Sequence, residues 1–220
     1  YLHTYMVTYL YMIYPDTKLE EKLFKKGYKI VVGIDEVGRG PLAGPVAAGA
    51  VAFTKDCDVV EGVRDSKTLS LKQRNELYDV IKQSVKGYGI GMVDEGMIDM
   101  IGIQEAVRKA MLIALSNLEK MIGKKADYLL IDGINVEILG EYPTMKISKG
   151  DLYHYCISAA SILAKVDRDN LMIEYSKKYP EYGFERNMGY GTKEHLDALK
   201  KYGVCDIHRR SYKPVTDCMV

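Results

Sequence analysis

Apolar and polar positions along the chain alternate in blocks that predict a mixed α/β protein. An apolar run from Tyr28 to Ile34 ends in two carboxylates, Asp35 and Glu36, and then in a stretch broken by glycines and a proline. A run of that length bounded by Gly and Pro reads as a buried strand, about Lys29 to Asp35. Val46 to Phe53 is small and apolar and reads as a second buried strand, joined to the first as an antiparallel hairpin. Ser70 is placed to cap a helix over Leu71 to Ser84. Tyr88 to Val93 reads as a third strand. Asp94 opens a helical region that continues after Gly102 from Gln104 to Met121, where Val107, Met111, Ala114 and Leu118 keep a helical spacing. Tyr128 to Asp132 repeats the opening pattern of apolar strand, carboxylate and glycine. Met145 to Ile147 reads as a last short strand. The longest helical pattern runs from Leu152 to Tyr179 and stops at Pro180. Another helix is predicted from Thr192 to Tyr202. Strands close together, then helix and strand in alternation, then helices imply a mixed sheet, antiparallel at its start and parallel later.

Composition narrows the picture. The 220 residues suffice for one domain with a small appendage. Net charge is only +1, so any nucleic-acid binding must use local positive charge. Cys57, Cys156, Cys205 and Cys218 are widely spaced, which argues against a zinc site and a disulfide framework and fits a reducing, cytoplasmic setting. No apolar run reaches the roughly 18 residues of a spanning helix, so no membrane association is expected. Five of the 18 tyrosines fall within residues 1–14. That stretch makes a poor signal peptide and is set apart as an appendage without a catalytic role. Residues 15–220 are expected to form one catalytic domain.

Four carboxylates, Asp35, Glu36, Asp132 and Asp151, stand at strand ends or at a helix entrance. Strand ends of an α/β sheet converge on one crevice, and oxygen-only ligands suit a hard cation, Mg²⁺ or Mn²⁺. Singly, each has a plainer reading. Asp35 and Glu36 could form a solvated acidic pair in a turn. Asp132 could belong to an Asp-Gly turn, and Asp151 could cap the long helix. Adjacent strand residues also point to opposite faces, so Asp35 and Glu36 reach one site only if the strand distorts. Gly38 and Gly40 would let the backbone approach a ligand closely, with Arg39 held between them. Lys165, beside Ser158 and Ser161, could grip a phosphate or could simply face solvent. From Lys177 to Lys213 nine Lys/Arg stand against five Asp/Glu, interleaved with aromatic residues including Tyr190. That composition suits a nucleic-acid platform and also suits ordinary C-terminal helices. His208, beside two arginines, is assigned a structural role.

These motifs, in this order, resemble the bacterial ribonuclease HII family. The likeness is carried by Gly33 through Val46, Asp65-Ser66-Lys67, Leu130 through Gly133, Lys149-Gly150-Asp151, Ser158 through Val166, Gly189 through Thr192, and His208 through Ser211. It implies a ribonuclease H-like fold: a five-stranded mixed sheet flanked by helices, with a C-terminal helical segment at about 180–214 that helps hold a duplex. It implies a metal-dependent endonuclease that cuts RNA in RNA·DNA hybrids and cuts 5′ of single ribonucleotides in duplex DNA. Asp35, Glu36, Asp132 and Asp151 take the places of the family's ligands for two divalent ions. The backbone of Gly38, Arg39 and Gly40 takes the place of its ribose 2′-hydroxyl reader, Tyr190 that of its sugar-stacking tyrosine, and Ser66 and Lys67 those of its phosphate contacts. A monomer is expected. Two competing readings use the same residues: a DNA nuclease or strand-transferase on this fold, which needs no 2′-hydroxyl reader, and a binding module that tolerates carboxylate loss.

Overall fold

A computed structural model describes residues 13–133 and 142–219; residues 1–12 of the tyrosine-rich appendage lie outside them. The sheet has five strands: β1 (Val31–Val37), β2 (Val46–Phe53), β3 (Gly87–Val93), β4 (Tyr128–Asp132) and β5 (Thr144–Ile147). Their order across the sheet is β3-β2-β1-β4-β5. β2 lies antiparallel to both β1 and β3, while β4 lies parallel to β1 and β5. The sheet is therefore mixed in the way its sequence predicts.

Helix α1 (Lys18–Lys25) leads into β1. α2 (Leu71–Ser84) starts at a capping box: the Ser70 hydroxyl accepts from the Gln73 amide while the Gln73 side chain accepts from the Ser70 amide. α3 (Glu95–Ile101) is capped by Asp94, and α4 (Ile103–Ile122) follows directly. α4 covers the sheet face carrying Val32, Ile34, Leu129 and Ile131. α5 (Gly150–Tyr153) and α6 (Tyr155–Lys178) cover the face carrying Val31, Val51 and Leu130. α6 lies very close to the strands because the positions beneath it are glycines. A Cβ on Gly33 would fall 2.3 Å from the Cys156 carbonyl carbon, and one on Gly49 would fall 2.2 Å from the Ala160 oxygen.

The sequence pattern predicts one helix from Leu152 to Tyr179, but the helix breaks at His154, whose backbone is extended. There the chain pairs with Asp16: the Asp16 amide donates to the Tyr153 carbonyl and the Tyr155 amide to the Asp16 carbonyl, each at 3.1 Å. Beyond α6 come a 3₁₀ turn (Pro180–Tyr182), α7 (Phe184–Asn187), α8 (Lys193–Tyr202) and α9 (Lys213–Thr216). They form a third apolar cluster with Leu42, Ala43 and Met172. This places the C-terminal segment against the loop that follows β1. No helix among the described residues is long and apolar enough to cross a membrane.

Candidate active site

Alternation along β1 decides which carboxylates meet. Val31, Gly33 and Asp35 face α6, whereas Val32 and Ile34 face the other way. On β4, Leu130 and Asp132 share the α6 face. Asp151, in the first turn of α5, comes to the same place. One oxygen from each of Asp35, Asp132 and Asp151 lies within 4.8 Å of the other two. Asp35 and Asp151 are each only 5% exposed. The Asp132 Oδ1 accepts from the Gly150 amide at 3.1 Å, which ties the end of β4 to the turn that presents Asp151. That turn places Lys149 in the left-handed region at φ 57°.

Three carboxylates this close and this deep repel one another. Burial pushes the Asp35 carboxyl well above its ordinary pKa of 3.8, and the charge of Glu36 adds to it. Burial also raises Asp151, with Lys67 acting against the shift. Lys67 Nζ, 3.4 Å from Asp151 Oδ2, comes from an exposed side chain. A single solvated ammonium offsets little of this charge. A hard cation bound by oxygen alone fits the donor set directly.

Glu36 does not join the three. β1 stays regular through its end, with Glu36 opposite Ala48, yet burial raises the Glu36 carboxyl and, against the opposing charge of Arg39, so does the charge of Asp132, so Glu36 stands within electrostatic reach of the three. The Glu36 carboxylate accepts from Arg39 at 3.2 Å. Ser66 is buried, its hydroxyl 3.0 Å from that of Ser161, and the Ser158 hydroxyl donates to the Asp151 carbonyl. Lys165 is held by a carboxylate. Its Nζ lies 2.7 Å from Asp169, whose other oxygen is 3.6 Å from Arg74, and this group is largely buried.

A second assembly stands beside the carboxylates. Gly38 is buried with φ 89°, while Arg39 and Gly40 are exposed. Tyr190, 42% exposed, lies beside Gly40: a Cβ there would fall 3.7 Å from the Tyr190 Cε1. The Leu42 amide donates to the Gly189 carbonyl at 2.7 Å, so the two loops are joined. Behind them lie four residues that sequence reasoning gave no chemical role: Arg168, His195, His208 and Arg209, all fully or almost fully buried. Nothing around Arg168 in the sequence marks it, since Lys165, Asp167 and Asp169 are charged neighbours on the same helix.

The family pattern described as ribonuclease HII matches residues 32–215. The chain belongs to the ribonuclease HII family. The ribonuclease HII of Enterococcus faecalis is 48% identical over 201 residues, covering 91% of this chain and 76% of that protein. Among solved structures, the ribonuclease H2 of Pyrococcus horikoshii OT3 superposes with a TM-score of 0.72 at 25% identity, covering 86% of this chain and 96% of that one. Bst-RNase HIII in complex with Mn²⁺ superposes with a TM-score of 0.66 at 16% identity, over 87% of this chain and 70% of that one, and shares the fold. This ribonuclease HII family member is a metal-dependent ribonuclease H acting on the RNA of RNA·DNA hybrids.

Proposed function

We propose that this ribonuclease H also cuts 5′ of a single ribonucleotide embedded in duplex DNA, leaving a 3′-hydroxyl and a 5′-phosphate, as a step in ribonucleotide removal during DNA replication and repair. The observation that carries the reading is the end of β1. The same strand that supplies Asp35 runs within three residues into Gly38, and Gly40 then meets Tyr190. Hydrolytic and ribose-reading groups would thus be held at a short separation around one strand end.

Asp35 and Asp132 would hold two divalent ions, Mg²⁺ or Mn²⁺, with Glu36 and Asp151 completing the donor set. When bound, such ions supply a water of lowered pKa and offset charge at the leaving 3′ oxygen. Glu36 is free to serve. Its pairing with the half-exposed Arg39 is of a kind worth about 1 kcal/mol or less. The Gly38-Arg39-Gly40 backbone would read the 2′-hydroxyl, which separates RNA from DNA at one position. Tyr190 would stack on the neighbouring sugar. Ser66, Lys67, Ser158, Ser161 and Lys165 would hold the phosphates, with Lys165 first releasing Asp169. Phosphate contacts position a duplex without telling RNA from DNA. The domain would span residues 15–220, act as a monomer, and keep its four free thiols reduced in the cytoplasm.

The test is Asp132→Asn assayed on an RNA·DNA hybrid with Mg²⁺ and with Mn²⁺. The change is nearly isosteric, and turnover should fall by more than tenfold, a loss above about 1.4 kcal/mol in barrier. Retention of more than about a tenth of parental turnover would remove Asp132 from the ion site.

A further inference from the structure

Two guanidiniums are buried behind the reading loops with no carboxylate at ion-pair distance among the described residues. Arg209 is 0% exposed and spends its donors on carbonyls: Nε on Gly44 at 2.9 Å, one terminal nitrogen on Arg39 at 2.9 Å, the other on Gly38 at 2.6 Å. The Tyr212 hydroxyl also donates to the Arg39 carbonyl, at 2.6 Å. Arg168 does the same for Pro45, Met188 and Ala43, at 2.9, 3.0 and 3.3 Å. Burial, and after it the nearby charge of Arg209, lowers the Arg168 pKa to about 10. Two like charges placed together away from water are expensive, and well-packed apolar residues would be as stable or more so. What the arginines secure is direction, because each fixes three carbonyls at once.

His208, adjacent to Arg209, fixes the other loop. The Cys205 amide can only donate, and it donates to His208 Nδ1 at 2.9 Å. His208 Nδ1 is therefore unprotonated, and its Nε2–H donates to His195 Nε2 at 3.0 Å. The His195 Nδ1–H in turn donates to the Tyr190 carbonyl at 2.9 Å. Each link settles the tautomer of the next, and the chain ends on the residue beside Gly40. The turn itself is pinned to the β1–β2 loop. The Arg209 amide donates to the Leu42 carbonyl and the Gly44 amide to the Ile207 carbonyl, both at 2.8 Å.

We propose that His208 and Arg209 are positioning residues for ribose recognition: Arg209 turns the carbonyls of Gly38 and Arg39 inward, and His208, acting through His195, holds the peptide of Tyr190 against them. With those two carbonyls captured, the Gly40 carbonyl and the amides of Arg39 and Gly40 are left without a partner among the described hydrogen bonds. Those are a donor set and an acceptor, which is what a hydroxyl requires. The inference rests on the assignment of these two loops to sugar recognition.

The test uses the full chain with Arg209→Lys, His195→Leu and His195→Asn, beside Gly40→Ala and Tyr190→Ala as markers of the loops. Three quantities are read: the single-turnover rate at saturating duplex with one ribonucleotide, the Kd for the all-DNA duplex, and the melting temperature. Lysine keeps the charge of Arg209 but cannot hold three carbonyls, so the rate should fall about tenfold or more while DNA binding stays within about twofold. His195→Leu should slow the same step, and His195→Asn, whose amide can still donate to the Tyr190 carbonyl, should recover most of the loss. Should Arg209→Lys not fold, the two His195 variants decide the matter. The proposal is overturned if rate and DNA binding fall together. It is also overturned if folded variants keep the parental rate while Gly40→Ala and Tyr190→Ala lose it. Parental rates in those two markers would instead remove the assignment of the loops, and the proposal with it.

Discussion

Gly38 and Gly40 look equivalent in the sequence, yet the structure assigns them different work, and alanine at each separates the two. Gly38 has φ 89°, a conformation that costs an alanine about 1–2 kcal/mol. Its Cβ would also fall 2.3 Å from Arg168 Nε and 2.7 Å from Arg168 Cδ. The end of an arginine is usually able to move aside. This one is held by three carbonyls, so displacement loses at least one charged hydrogen bond, worth roughly 1.5–3 kcal/mol. Together these give about 2.5–5 kcal/mol. For a chain of this length, roughly 2–4 °C accompanies each kcal/mol, so Gly38→Ala should melt about 5–20 °C below the parent. Gly40 has no positive φ, and its Cβ would meet only the Tyr190 ring at an ordinary 3.7 Å. Gly40→Ala should melt within about 2 °C of the parent, while cleavage at a lone ribonucleotide drops and binding to plain DNA holds. Thermal melts and one salt titration of binding and cleavage read both variants. Equal melting of the two would refute the reasoning, and so would equal loss of DNA binding and cleavage in Gly40→Ala.

Other outcomes follow from the same geometry. Asp35→Asn removes a buried charge that its neighbours oppose, so in chelator it should melt no lower than the parent, whereas added Mn²⁺ should raise only the parent's melting temperature. A matching rise in the variant would contradict the ion site. Tyr190→Ala should cut single-ribonucleotide cleavage far more than it lowers melting, because the ring is 42% exposed; a large melting loss would assign the ring to packing. Burial, and then the facing His195, pushes His208 from 6.5 down to about 4. The unfolded chain therefore takes up this proton below pH 6.5 while the folded chain refuses it until about 4, so stability is complete above 6.5 and lost as pH falls. The full effect is on the order of 3 kcal/mol. His208→Gln should show a shallower loss between pH 7 and 5 in urea melts, and parallel curves for variant and parent would contradict the burial argument.

Much of the fold was legible because its elements follow strong local rules. The β2 run is apolar throughout and is buried throughout, Ser70 caps α2, and Asp94 caps α3. The break at His154 was not legible, since it depends on Asp16, far away in the chain. The carboxylates Asp35, Asp132 and Asp151 could be grouped by their places at strand ends and at a helix entrance. Lys165 was out of reach, because its partner Asp169 satisfies the same helical spacing as a solvent-exposed pair. Arg168, His195 and Arg209 act on backbone carbonyls of distant segments, and contacts of that kind leave no mark in residue type or spacing.

The central claim is that one strand end joins hydrolysis to ribose reading. It is tested most directly by three matched duplexes with a divalent ion: all-DNA, RNA·DNA hybrid, and DNA carrying one ribonucleotide, with product ends mapped. The hybrid and the single-ribonucleotide duplex should be cut, the latter only at the 5′ side of the ribonucleotide with 3′-hydroxyl and 5′-phosphate ends, and the all-DNA duplex should remain intact. Equal cutting of the all-DNA duplex, or an uncut single ribonucleotide beside a well-cut hybrid, would contradict the account.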